Sequence, residues 1–131
     1  PINATWGKDN RPTALRSPSG NDDSTRIEHR LSGADANPYL VMAMLISGFL
    51  HGFEEDPEIP PETVGNGYED GSRSLPQSWE AALDLFQNKS RLSSILGQEF
   101  STLYTQLKSG EQKRFRRVIT PHEYDWYLHT V

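Results

Sequence analysis

The stretch Arg26-Ile27-Glu28-His29-Arg30, followed shortly by Ala36-Asn37-Pro38-Tyr39, decides how this sequence is interpreted. If residues 25–31 form a strand, alternate side chains share a face at a spacing of about 7 Å. The central carboxylate then lies between two guanidinium groups, which keep it ionised. It could bind a hard metal ion while the arginines bind phosphate or carboxylate oxygens. The alternative is a ladder of ion pairs on a solvated strand.

An almost entirely apolar segment follows, over residues 36–55. Asn37-Pro38 at its beginning is a helix-start signal with proline in the first turn. A helix that is apolar all round is buried in a core or spans a membrane. The segment is shorter than the roughly 20 residues that a span needs and it contains His51. We therefore predict a buried core helix, no membrane association, and packing of Ile27 and Leu31 beneath this helix.

The remaining sequence predicts a loop and a helical layer. Proline and glycine are frequent in residues 56–78, which favours a loop. Ser78 is a candidate N-cap for the next helix, and Thr120-Pro121-His122-Glu123 has a capping-box pattern. The predicted fold class is α+β, with short antiparallel active-site strands and loops in 1–35, the buried helix in 36–55, the loop in 56–78, and a helical C-terminal layer in 79–131 with helices over 79–87, 90–96 and 98–117.

The composition limits the kinds of protein, and the cellular location, that can be expected for this sequence. The 131 residues fit one domain by length, but only 34% of them are hydrophobic, a lean supply for a core. The chain begins with Pro1, and we expect it to be a piece whose core is shared with sequence outside it. The net charge of −5 gives no electrostatic reason to expect nucleic acid. No cysteine is present, which excludes disulfides and thiolate metal sites, and no signal segment is recognised, so a cytoplasmic location is the expectation.

The sequence lacks the common motifs of nucleophilic and nucleotide-binding sites. There is no Gly-x-Ser-x-Gly turn, no histidine pair at i, i+4 spacing, and no glycine-rich phosphate loop. Any nucleotide must therefore be held by side chains. Guanidinium groups stabilise the charge that develops on a transferred phosphoryl group, and four arginines fall within a short stretch: Arg11, Arg16, Arg26 and Arg30.

The order of these blocks resembles a known family. Asn10-Arg11, Arg16, the stretch 26–30 and the stretch 36–39 are similar to the C-terminal half of the glutamine synthetase catalytic domain. Two further groups, Gly65-Asn66-Gly67-Tyr68 and Glu123-Tyr124-Asp125-Trp126-Tyr127-Leu128, resemble the γ-glutamylpolyamine synthetase-like branch. The resemblance implies a ligase that uses ATP and Mg²⁺ or Mn²⁺. ATP phosphorylates the γ-carboxylate of glutamate, and ammonia or an amine displaces the phosphate. It also implies a homo-oligomeric full-length protein.

The resemblance also implies roles for individual residues. Arg11 matches a catalytic arginine that contacts both the substrate and the nucleotide phosphate. Arg16 matches an arginine on the nucleotide side, and Arg26 a catalytic, ATP-binding arginine close to the phosphate. Arg30 matches an arginine that binds glutamate, and Glu28 matches a metal ligand.

Asp23 differs from the family pattern, and Tyr68 lies near a modified position of that pattern. Asp23 stands where bacterial glutamine synthetases carry an ATP-contacting lysine. Tyr68 lies near the place of the adenylylated tyrosine of some bacterial members, in different surroundings. The family's other metal ligands and its N-terminal domain precede the matched region, so the 131-residue polypeptide is expected to be inactive alone. The alternative hypothesis is a non-catalytic assembly or interaction module in which Arg26, Glu28 and Arg30 form a structural ion-pair strand.

Overall fold

The computed structural model describes residues 1–70, 74–88 and 90–130. The chain divides into two units, Pro1–Leu75 and Pro76–Val131. The first unit contains a three-stranded sheet and one long helix, and the second contains helices, which confirms the predicted α+β class. The elements are β1 (Trp6–Lys8), β2 (Leu15–Ser17), β3 (Glu28–His29), α1 (Pro38–Glu55), α2 (Trp79–Asn88), α3 (Ser90–Leu96), α4 (Gln98–Phe115) and α5 (Pro121–Tyr127).

The sheet has the order β1-β2-β3 and mixed direction. β2 and β3 are antiparallel with Arg16 opposite Glu28, which confirms the predicted direction for this pair. β1 and β2 are parallel, so the predicted antiparallel direction was wrong for that pair. A parallel pair usually needs a long connection. Here each of the two strands has only three residues, about 10 Å in length, and the six-residue connection 9–14 can span that return.

The strand predicted over residues 25–31 is shorter in the structure, where only Glu28–His29 pairs in the ladder. One further backbone hydrogen bond, from Arg30 N to Ala14 O at 2.9 Å, extends the pairing by a residue. The neighbouring strand β2 ends after three residues. The same register would place Arg26 opposite Pro18, which has no N–H to donate to the ladder, and this explains the difference.

Residues 60–67 lie along the outer edge of β1 and complete a small core. Thr63 N donates to Trp6 O at 2.9 Å, and the Trp6 indole Nε1 donates to Pro60 O at 2.7 Å. Thr13, which is completely buried, packs in the connection between β1 and β2. The edge strand is thus covered by an ordered part of the loop, which satisfies backbone groups that an edge strand otherwise leaves open.

Helix α1 begins where the sequence predicts. The Asn37 side-chain oxygen accepts hydrogen bonds from Tyr39 N at 3.0 Å and Leu40 N at 3.3 Å, and Pro38 occupies the first turn. The helix ends at Asp56, which adopts a left-handed conformation with φ of 41°. Local signals therefore determine both ends of this helix.

The predicted burial of α1 was wrong for this chain, because no residue of the helix is buried. Ile27 and Leu31 are also 60% and 39% exposed, so the predicted packing beneath α1 was wrong as well. Burial of a helix requires a facing apolar surface. In the described residues, the extensive packing between helices is that of α2 and α3 against α4. The large apolar side chains of α1 that are 51–86% exposed are Tyr39, Met42, Ile46, Phe49, Leu50 and Phe53.

In the second unit, α2 and α3 pack against α4. Leu83 is buried, and the Phe86 ring lies 5.2 Å from that of Tyr104, which stacks on Phe100 at 5.8 Å. These pairs form the contact between α2 and α4. Leu103 and Leu107 of α4 stay more than half exposed, so this helix is only partly covered.

The last helix, α5, has the predicted capping box between Thr120 and Glu123. Tyr124, Tyr127 and Leu128 are each more than half exposed. None of the helices in the described ranges has the length and apolar composition needed to cross a membrane.

Candidate functional site

The side chains that the sequence singles out converge on Glu28 in the first unit. Arg26 donates to Glu28 Oε1 from Nη2 at 3.0 Å and from Nε at 3.3 Å. Arg16 Nη1 donates to Glu28 Oε2 at 3.0 Å, and Arg30 Nη1 lies 3.5 Å from the same oxygen. The predicted sharing of one face by Arg26, Glu28 and Arg30 is therefore confirmed. We call these residues, with Arg16 and Asp9, the arginine cluster.

Arg16 joins the cluster because of the sheet register. It stands opposite Glu28 in the β2–β3 pair, where cross-strand side chains lie close together. Its Nη2 donates to Asp9 Oδ1 at 3.0 Å, so the guanidinium bridges two carboxylates. The Arg16 side chain is only 17% exposed. The sequence analysis did not single out Asp9, and no motif marks it.

Arg11 belongs to the same surroundings through its backbone. Arg30 Nε donates to Arg11 O at 3.0 Å. Asn10, the residue before Arg11, is held in place because its Nδ2 donates to Thr63 O at 2.8 Å and to Gly65 O at 3.0 Å. The Arg11 side chain itself is exposed. The turn that carries Arg11 is thus held by the cluster and by the 60–67 segment, while its guanidinium stays accessible.

The electrostatics of the cluster keep its carboxylates ionised. The hydrogen bond from Arg16, followed by those from Arg26, holds the pKa of Glu28 below its usual value. Hydrogen bonds from Ser19 hold the pKa of Asp9 below its usual value as well. With three arginines and two carboxylates, the cluster carries a net positive charge of one. It can attract an oxyanion such as a phosphate or a carboxylate.

The described residues do not by themselves fit a divalent metal ion. They contain no group of three or more His, Asp or Glu side chains placed to share an ion. A carboxylate has about four acceptor positions, and Glu28 already accepts three hydrogen bonds from Arg16 and Arg26 and lies in an ion pair with Arg30. The metal-ligand role of Glu28 stays a prediction that requires further ligands, because Mg²⁺ needs six oxygens.

Asp23 and Tyr68 lie outside the arginine cluster. Asp23 is exposed in a single 3-10 turn, Asp22–Ser24. Tyr68 is 54% exposed, and its backbone N–H donates to Asn66 Oδ1 at 3.2 Å. A regulatory role of Tyr68 stays an open hypothesis.

Comparison with known proteins identifies the family. Residues 1–127 match the model of the glutamine synthetase catalytic domain. The chain is 41% identical over 128 residues to gamma-glutamylputrescine synthetase PuuA of Escherichia coli (strain K12), covering 98% of this chain and 27% of that protein. It is 35% identical to gamma-glutamylethanolamide synthetase GlnA4 of Streptomyces coelicolor, again covering 98% and 27%. It is 29% identical to a glutamine synthetase of Methanococcus maripaludis, covering 98% and 30%.

A solved structure of apo GmaS has the same fold, with a TM-score of 0.82 and 24% identity over 98% of this chain and 30% of that one. The chain thus spans less than a third of the length of the relatives it matches. The match extends from the strands through α5, so it includes the whole arginine cluster. The chain belongs to the glutamine synthetase family, and residues 1–127 match its catalytic domain.

Proposed function

We propose that the complete protein containing this chain is an ATP-dependent ligase that joins the γ-carboxylate of glutamate to an amine. The convergence of three arginines on Glu28, with Arg11 exposed beside them, is the observation that carries the proposal. The family supports it, because two of the matched relatives are named as synthetases of γ-glutamyl amides.

The reaction would proceed in two balanced steps. A γ-carboxylate oxygen of glutamate attacks the γ-phosphorus of ATP, the bond between that phosphorus and the bridging oxygen breaks, and ADP leaves. The amine nitrogen then attacks the carbonyl carbon of γ-glutamyl phosphate. The carbon–oxygen bond breaks, phosphate leaves, and the nitrogen loses a proton to give the amide.

The arginines would contribute by position and charge. In the proposed assignment, Arg11 contacts both the substrate and the nucleotide phosphate, Arg26 lies near the transferred phosphoryl group, and Arg30 binds glutamate. Phosphoryl transfer places charge on oxygens that fixed guanidinium groups stabilise. Glu28 would hold these arginines in position. Arg26 and Arg30 contact it directly, and Arg30 Nε donates to the backbone oxygen of Arg11.

An amine is favoured over ammonia as the acceptor. The chain is 41% and 35% identical to the two amide synthetases named above and 29% identical to the glutamine synthetase. Mg²⁺ or Mn²⁺, the homo-oligomeric state and the cytoplasmic location stay predictions. The 131-residue polypeptide alone is expected to be inactive.

A non-catalytic module is the second candidate, and one observation favours it. Both carboxylate oxygens of Glu28 are bound by arginines of the same chain. Such a cluster could serve as a structural ion-pair ladder that links β2 and β3.

Two variants of the complete protein separate the candidates. Arg30→Ala removes a charge-assisted contact of about 1.5–3 kcal/mol, so the KM for glutamate should rise about ten- to hundredfold. Glu28→Gln should lower kcat at least about a hundredfold, because the charge that aligns the arginines is lost. Arg117→Ala, at an exposed arginine of the second unit, is the matched control.

The measurement is phosphate release and amide formation from ATP, glutamate and a panel of ammonia, diamines and ethanolamine. A wild-type protein that makes no amide with any acceptor would reject the ligase proposal. Normal kinetics in both cluster variants would support the structural ladder instead.

A further inference from the structure

Asp9 has an unusual backbone conformation. It follows β1 directly and adopts the left-handed region with φ of 50°. Aspartate tolerates this region better than most residues other than glycine, although it is still uncommon. Its N–H donates to Ser17 O at 3.1 Å, so the turn lies where the parallel pair of β1 and β2 ends. The conformation directs the chain into the turn that carries Arg11.

The Asp9 side chain holds Arg16. Its Oδ1 accepts from Arg16 Nη2 and from Ser19 N, each at 3.0 Å. The Asp9 side chain is 49% exposed, whereas the Arg16 side chain is 17% exposed. The carboxylate is thus fixed by the 18–20 loop and in turn fixes one end of a largely buried guanidinium.

Arg16 depends on its two carboxylates for its orientation. Nη1 donates to Glu28 Oε2 at 3.0 Å and Nη2 to Asp9 Oδ1 at 3.0 Å. Its Nε is buried and has no hydrogen-bond partner among the described residues. Without Asp9, only the contact with Glu28 would hold the fork, and the guanidinium could turn about it.

We propose that Asp9 is a positioning residue that orients the Arg16 guanidinium for the phosphates of ATP. This inference rests on the proposed function, in which Arg16 lies on the nucleotide side. Asp9 acts through Arg16 and touches no substrate. Its loss should therefore weaken the interaction with ATP and leave the interaction with glutamate unchanged.

The test compares two substitutions in the complete protein. Asp9→Gly removes the side chain and accepts the left-handed backbone without strain. Asp9→Asn keeps an acceptor oxygen and a residue type that tolerates this conformation. We expect Asp9→Gly to raise the KM for ATP about five- to tenfold and Asp9→Asn about two- to threefold, with the KM for glutamate changed less than twofold.

Asp56→Gly is the matched control, because Asp56 is also left-handed, with φ of 41°, at the end of α1. It makes the same substitution in the same backbone region at a residue outside the arginine cluster. We expect no change in either KM. Binding of a non-hydrolysable ATP analogue, measured by calorimetry, should weaken in the order wild type, Asp9→Asn, Asp9→Gly.

Three results would overturn the positioning role: an unchanged affinity for ATP in Asp9→Gly, parallel changes for ATP and glutamate, or equal effects of glycine and asparagine. If Asp9→Gly does not fold, Asp9→Asn decides alone, because a selective rise in the KM for ATP supports the role and no rise rejects it. A wild-type protein that makes no amide would instead reject the proposed function. An active wild type with normal ATP kinetics in Asp9→Gly rejects this inference alone.

Discussion

The arginine cluster and helix α1 belong to the same unit, but they differ in how far their interactions are satisfied within it. Both oxygens of Glu28 are bound by arginines, and Arg16 bridges two carboxylates. In α1, by contrast, no residue is buried and six large apolar side chains are mostly exposed. A polar cluster needs only a few partners at hydrogen-bond distance, whereas an apolar helix needs a broad facing surface. The carboxylates of the cluster therefore have partners within this chain, whereas the large apolar side chains of α1 remain mostly exposed.

The largest expected effect concerns α1 in the complete protein. We predict that its apolar surface is covered there, so that Ile46→Gln combined with Leu50→Gln lowers the free energy of unfolding by about 3–6 kcal/mol. Urea denaturation would measure the change. Glu55→Gln, at an exposed residue of the same helix that is already polar, should have little effect. Equal stability of the double variant and the wild type would mean that α1 stays exposed in the complete protein.

On the 131-residue polypeptide, the same double substitution should have a favourable effect, because it should reduce self-association. Contiguous exposed apolar surface favours self-association, and α1 presents side chains such as Ile46 and Leu50 at 51% and 56% exposure. We expect the polypeptide to self-associate, and the double variant to weaken this association about tenfold or more. Sedimentation velocity and binding of an apolar dye would report both. A wild-type polypeptide that is monomeric at high concentration and binds no dye would contradict the prediction.

A smaller effect tests whether α1 is specified locally. Asn37 accepts hydrogen bonds from two backbone N–H groups at the start of the helix. Asn37→Ala should lower the free energy of unfolding of the complete protein by about 1 kcal/mol, and Asn37→Asp should restore most of it. Thermal and urea denaturation would measure both. A destabilisation well above this value would indicate that Asn37 has contacts beyond the cap.

The features that the sequence predicts correctly depend on neighbouring residues. The Asn37 cap and the capping box at Thr120 are read from adjacent positions, and both are present. The approach of Arg26 and Arg30 to Glu28 follows from the two-residue period of an extended chain. Where the interaction partners lie within a few residues, the pattern was sufficient to predict the structure.

The features that were missed depend on register and on facing surfaces. Arg16 reaches Glu28 because of the β2–β3 register, which no local pattern specifies. The role of Asp9 follows from a left-handed conformation that aspartate adopts only occasionally. The apolar character of α1 predicts that the helix can be buried, but burial itself requires a neighbour. For the candidate site, the sequence could therefore predict the residues around Glu28 but not the path of ion pairs through Arg16 to Asp9.

The smallest expected effect tests the ion pairs of the cluster through pH. Arg16, followed by Arg26, holds the pKa of Glu28 in the folded protein below its usual value of 4.5. The unfolded chain therefore binds this proton at a higher pH than the folded chain does. It follows that the stabilisation is fully present above about pH 5 and is lost as the pH falls through the lowered pKa.

The Tm of Glu28→Gln should lie below that of the wild type by a constant amount between about pH 5.5 and 8, and the difference should shrink below about pH 4.5. Glu58→Gln, which removes an exposed charge from the loop, is the control and should follow the wild type throughout. A Tm difference between wild type and Glu28→Gln that grows as the pH falls would show that the carboxylate is not stabilised in its ionised form. The ion pairs between Glu28 and the arginines would then contribute no stability.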